Sequence, residues 1–251
     1  MKKKRKARMR LQTLFLSLMP LVEKFVEEKS HYYKIDVSHN LHHSLQVKEL
    51  GFVIAGRDYH LNTRQKEILY LSCMLHDMCD AKYIPRTQGI LDVSNFMRNG
   101  CGVSMLTHDA VMEIITSMSY SQIVKPDGKV EYPLWLSDEH NDWGEVFHIA
   151  RQADLLTSYD LKRMIHYKQE KLGFYYSCDI YQDVMETVDA RMSKLLAKDL
   201  LISPSAIKIA RQWHQELSVS LETLTEDDVY PIFYKPPEPQ EHFRQRIADI
   251  L

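Results

Sequence analysis

The chain has 251 residues, 45% of them hydrophobic, which suits one domain with a sizeable core plus extensions better than two full domains. Gly (8) and Pro (9) are scarce, which argues against a sandwich or barrel with many tight turns and favours an all-α fold. A formal net charge of −2 provides no global field to draw in nucleic acid or membrane, and no stretch reaches the ~18 apolar residues of a membrane-spanning helix.

The first segment, Lys2 to Arg10 (KKKRKARMR), is almost continuously basic. Its plain reading is a solvated, disordered tail over residues 1–10; a nuclear localisation signal or an arm for polyanions is the sharper one. Leu14–Val22 is apolar but contains Pro20 and is followed by no small-residue cleavage site, so no secretory signal is expected. Residues 11–29 carry a helical stripe of Leu11, Phe15, Leu18, Val22 and Phe25, with Pro20 expected to kink it or start a new helix.

A second helix is expected over 37–55, capped by Asp36 or Ser38 and ended by Gly56. A third is expected from Thr63 to Asp77, where Asn62 and Gln65 have capping-box spacing and Ile68, Leu71 and Leu75 form the stripe. Residues 81–103, with Pro85, Gly89, Gly100 and Gly102, read as loop. Ser104 or Thr107 then opens a helix with Val111, Ile115 and Met118 on one face. Residues 122–144 read as a long connection, with a possible small hairpin pairing 122–124 with 130–132 around Asp127-Gly128. A fifth helix begins near Trp143 and carries Phe147, Ala150, Asp154 and Leu155. Helical patterns return at 180–199 and 204–222, Pro231 to Pro239 (PIFYKPPEP) breaks them, and a short helix closes 240–251. The domain is therefore expected over 11–222, with a Pro-containing extension over 223–251.

Three pieces carry chemistry. The first is His39-Asn40-Leu41-His42-His43, the second Leu75-His76-Asp77-Met78-Cys79-Asp80-Ala81-Lys82-Tyr83, and the third Gln152-Ala153-Asp154-Leu155-Leu156. His43 shares a helical line with Val47, Leu50 and Ile54, so it points into the core. His76 follows the stripe residue Leu75, with Asp77 beside it at a helix end. Asp154 follows Ala150 by one turn. Singly, each has a plainer reading: a hydrogen-bonded core histidine, or for Asp154 a partner for Arg151. Together they bring two imidazoles and two carboxylates into an apolar interior, where polar groups left unpaired cost several kcal/mol and a divalent cation satisfies them all.

The order His43, His76-Asp77, Asp154 resembles the HD-domain metal-dependent phosphohydrolase superfamily. SHNLHHSLQV is similar to the SHDxxHxxRV string of a branch of small bacterial HD hydrolases, and LHDMCDAKY to its LHDxxDxK string. The resemblance covers roughly residues 30–165. Asn40 stands where that branch often has Asp, and Gln46 where it often has Arg; neither matches a metal ligand of the family. The resemblance implies an all-α HD-domain bundle with a metal held by His43, His76, Asp77 and Asp154. It also implies hydrolysis of a phosphate ester or anhydride, typically of a nucleotide, with Mn²⁺ the usual ion. A donor set of two His and two carboxylates without thiolate independently suits Mn²⁺, Fe²⁺, Co²⁺, Ni²⁺ or Zn²⁺, with Mg²⁺ also open.

Asp80 lies one turn beyond His76 if the helix continues, and the resemblance makes it the acid–base candidate; a plain turn residue is the alternative. Lys82 and Arg86 can take a substrate phosphate, solvated charge being the bland reading for Arg86. His108 faces inward with Val111, Ile115 and Met118, as a contact to substrate or a second metal or, more plainly, as a satisfied core histidine. His39 is one turn before His43 and can support the ligands. Cys73 is read as core rather than ligand, and His42, His140 and His148 carry no assigned role. None of Cys73, Cys79, Cys101 and Cys178 forms a CxxC pair, so reduced thiols and a cytoplasmic location are expected, with a nuclear one left open by the basic run. Two other functions are weighed: an HD-type nucleotide-binding or regulatory module with little turnover, and an enzyme acting on nucleic acid through the basic N-terminus. No nucleic-acid-binding module is visible in the sequence.

Overall fold

A computed structural model describes residues 2–36, 38–138, 141–172, 177–188, 192–197, 200–225 and 240–251. Its helices are α1 (Lys2–Tyr32), α2 (Leu41–Asp58), α3 (Thr63–Leu75), α4 (Arg86–Asn95), α5 (Met105–Ser117) and α6 (Tyr120–Ile123). They continue as α7 (Gly144–Thr157), α8 (Leu161–Leu172), α9 (Ser177–Thr187), α10 (Ser193–Ala197), α11 (Pro204–Glu222) and α12 (Gln240–Ile250). The all-α expectation holds: among the described residues there is no strand, and the anticipated hairpin is a single bridge between Val124 and Val130. Gly128 turns that corner with φ +79°.

Helix α3 is the axis of the fold. Asn62 accepts from Gln65 N while Gln65 Oε1 accepts from Asn62 N, so the capping box forms as the spacing predicts. Every residue from Ile68 to Leu75 is buried, because α1, α2, α5 and α7 pack around this one helix. The approach of α2 is close: a Cβ at Gly51 would stand 3.0 Å from Cys73 Sγ. Helix α12 returns to lie on α2 and α11, burying Phe243 and Ile247 and pairing Arg244 with Glu49 at 2.6 Å. The closing helix is thus part of the same body, while Pro231–Pro239 lies outside the described residues.

Several boundaries differ from expectation. The backbone of α1 is helical from Lys2 and runs through Pro20, so the basic run continues the helix rather than preceding it. Helix α2 starts at Leu41, not near 37, because Asn40 is the cap and accepts from His42 N at 2.9 Å. Gly56 is inside α2, which ends at Asp58. Helix α8 had no counterpart in the sequence reading.

The largest correction is at 81–103, where α4 and a π-helical turn (Phe96–Gly100) replace the expected loop. Gly89 is there for packing. A Cβ at that position would stand 2.6 Å from the Met78 carbonyl oxygen and 2.9 Å from Cys79 Cα. Both are backbone-held atoms that no rotamer change can move. Gly89→Ala is therefore expected to destabilise by about 1–3 kcal/mol, as overpacking does, although alanine is the better helix former. Urea unfolding of the two proteins measures this, and equal midpoints would show that α4 shifts freely.

Candidate metal centre

Local structure at three helices aims the polar residues. The Asn40 cap sets the phase of α2 and turns His43, Val47, Leu50 and Ile54 inward, all buried. Helix α3 tightens after Leu75 into a 3-10 turn over His76–Cys79. There the adjacent side chains of His76 and Asp77 reach the same point, Nε2 and Oδ2 standing 3.2 Å apart. Asp154 projects from α7, one turn after buried Ala150.

The donor atoms converge. His43 Nε2 is 3.1 Å from His76 Nε2, 3.3 Å from Asp77 Oδ2 and 3.4 Å from Asp154 Oδ1. His76 Nε2 is 3.2 Å from Asp77 Oδ2 and 3.5 Å from Asp154 Oδ1. Ligands about 2.1 Å from one ion stand about 3.0 Å apart at octahedral corners and about 3.4 Å apart at tetrahedral ones, so these separations fit a small metal ion. His43, His76 and Asp154 form the group whose donor atoms all lie within 4.8 Å of one another and can hold a metal ion. Asp77 Oδ2 touches both imidazoles yet has no hydrogen-bond partner, an orphaned buried oxygen that a cation would satisfy. His76 Nδ1 donates to the Cys73 carbonyl at 2.9 Å, which fixes the ring with Nε2 toward the cluster.

The electrostatics match. Burial disfavours charge on His43, the Arg163 guanidinium adds to it, and Asp154 and Asp77 only partly offset them, so its pKa lies below the ordinary value. Burial acts the same way on His76, but Asp77 and Asp154 outweigh it and hold its pKa well above the usual range. Burial alone would raise both carboxylates. The imidazoles reverse that, His76 first for Asp77 and His43 first for Asp154, and hold both well below the usual range. A proton on His76 partly compensates the two carboxylates; a divalent cation compensates both and uses both imidazole lone pairs.

A cleft of about 620 Å³ opens over this cluster, with His76, Asp77 and Asp154 in its lining. Asp80, Lys82 and Arg86 line it too, so the three acid–base and phosphate candidates share the cleft. Asp80 gets there by a different route than expected: the helix has ended and its backbone is extended (φ −72°, ψ 121°). Its Oδ1 accepts from Lys82 N at 2.9 Å, and Lys82 Nζ stands 3.3 Å from its Oδ2. Arg86 donates to the Thr116 carbonyl.

His108 is not a cleft residue. It is buried, with Nε2 2.9 Å from Ser94 Oγ and Nδ1 2.7 Å from Asp109 Oδ1, and so is a satisfied interior histidine. Cys73 offers its carbonyl rather than its sulfur, and burial pushes the thiol pKa up, away from the thiolate a metal would need. Arg151 does not pair with Asp154; it is buried, donates to Tyr132 OH at 3.4 Å and stands over that ring. His39 lines the cleft and is fixed by Ser38 Oγ and Tyr83 OH at 2.6 and 2.9 Å from its Nδ1, with Asp36 joining all three. His42 Nδ1 faces Gln240 on α12, His148 packs against Tyr132, and His140 lies outside the described residues.

The sequence reading missed the opposite wall, built by α8 and α9. Arg163, Tyr167 and Lys168 stand there, Lys168 paired with Asp183 at 2.6 Å. The signal was present: Asp160 Oδ1 accepts from Arg163 N as a helix cap does, ahead of Leu161, Met164 and Ile165 at helical spacing. No family model matches the chain, and neither a curated protein nor a solved structure matches it.

Proposed function

We propose that the protein is an HD-type metal-dependent phosphohydrolase acting on a small phosphorylated substrate, a nucleotide. The observation that carries this reading is the meeting of two imidazoles and two carboxylates, one with an orphaned oxygen, at a cleft whose mixed-charge lining includes Lys82, Arg86 and Arg163. In this reading His43, His76, Asp77 and Asp154 hold the ion, Mn²⁺ by preference. When bound, such an ion supplies Lewis acidity, polarising a phosphoryl oxygen and making a water nucleophilic at neutral pH. Lys82 and Arg86 attract the phosphate into the cleft. Asp80 moves the proton, taking it from the attacking water or returning one to the leaving oxygen.

Metal analysis and a release assay test this together. Purified protein is expected to carry about one first-row divalent ion per chain and to release phosphate or pyrophosphate from at least one nucleoside mono-, di- or triphosphate with Mn²⁺ added. Bound metal without turnover on any of these would leave a nucleotide-binding module as the better reading. Protein that takes up no metal would overturn the site itself.

A further inference from the structure

Arg163 is held in place before any ligand arrives. Its Nε donates to the Ser38 carbonyl at 2.6 Å and its Nη1 to Thr157 Oγ1 at 2.7 Å. Thr157 Oγ1 in turn donates to the Asp154 carbonyl at 2.6 Å, so the guanidinium is anchored to the helix turn that carries a cluster carboxylate. Its third contact is the informative one: Nη2 donates to His43 Nε2 at 3.3 Å.

That lone pair is contested, for His76 Nε2 also stands 3.1 Å from the same nitrogen. An imidazole nitrogen has one, and a cation at the cluster would take it. Arg163 Nη2 would then lose its acceptor beside the centre while its two anchors kept the group in place. A fixed guanidinium with freed N–H groups at the floor of a cleft is a receptor for an oxyanion. Its charge is also unspent. Lys82 faces Asp80 and Lys168 faces Asp183, but among the described residues no carboxylate lies within ion-pair distance of Arg163.

We propose that Arg163 is an anion subsite, binding a non-bridging oxygen of the phosphoryl group seated over the cluster and stabilising the charge that develops on it. This rests on the phosphohydrolase reading and adds a residue on α8 that belongs to none of the three motif strings. Lysine in its place would keep a charge but lose the planar fork that uses both anchors.

The test uses inorganic phosphate as probe, with Mn²⁺-loaded wild type, Arg163→Lys and Arg163→Gln compared by calorimetry beside metal content and melting temperature. Both variants are expected to retain the metal and to bind phosphate at least tenfold more weakly, as loss of a charged hydrogen bond implies. Turnover of the best substrate should fall roughly 10²–10³-fold, as when an oxyanion donor is removed. Added guanidinium should restore part of it to Arg163→Gln. Phosphate affinity equal to wild type in a folded, metal-loaded variant would overturn the subsite. So would loss of metal from both variants, which would make Arg163 a support of His43 instead. If one variant fails to fold, the other decides. Wild-type protein that binds neither Mn²⁺ nor phosphate would bring down the phosphohydrolase reading first, an outcome distinct from a failure at Arg163 alone.

Discussion

Asp80→Asn is expected to keep its metal and its melting temperature and to lose turnover by about 10²–10⁴-fold, mainly in kcat. The size follows from removing one proton-transfer group while leaving the cluster intact. Asp80 is not among the converging donors; it leaves the 3-10 turn on extended backbone and lines the cleft. Asparagine preserves the shape and can still accept from Lys82 N through its remaining oxygen, so the turn should survive. It cannot take up or give a proton at working pH. Turnover equal to wild type would reduce Asp80 to a turn residue, and His39, fixed in the same cleft, would be the next group to test. Loss of metal would instead place Asp80 within the ion's own support.

Metal removal gives the second large effect. Chelator-stripped protein is expected to melt about 10 °C lower than protein with Mn²⁺ at a thousand times its Kd. Binding to the native state alone is worth about 4 kcal/mol at that excess, and one kcal/mol moves the midpoint of a domain of this size by about 2–4 °C. His76→Ala and Asp77→Ala should abolish the shift, because each removes a donor whose neighbours are 3.1–3.5 Å away. The same midpoint with and without metal, once uptake is confirmed, would count against a buried centre. A full shift in both alanine variants would show that the ion sits elsewhere.

Much of the arrangement was legible from pattern. The capping box at Asn62, the inward line through His43 and the turn before Asp154 are local features, and local features are what periodicity and caps encode. The errors share a cause. Gly89 reads as a breaker in sequence, and only the proximity of Met78 O shows that it is a contact glycine inside a helix. His108 faces inward as its spacing says, but Ser94 and Asp109 lie on its ring nitrogens, so the inward direction did not lead to the cleft. Arg163 was invisible for the opposite reason. Asp160 and the apolar spacing mark the helix that carries it, but its importance comes from contacts to Ser38 and His43, more than a hundred residues earlier. Asn40, noted as a departure from the HD string, proves to be a helix cap, a task asparagine and aspartate perform about equally.

The dispersal of the donors also bears on how the molecule comes apart. Residues 43, 76, 77 and 154 lie on segments that meet only when α2, α3 and α7 are docked. No short stretch of unfolded chain offers more than the adjacent pair His76 and Asp77, so an ion has little to template early in folding. Contacts completed after the transition state slow unfolding and leave the folding rate nearly unchanged. An ion at this centre would therefore act on lifetime: it would hold the assembled helices together longer without hastening their assembly. Protein stripped of metal would refold about as fast as before and be lost sooner, through more frequent openings at the junction of α2, α3 and α7.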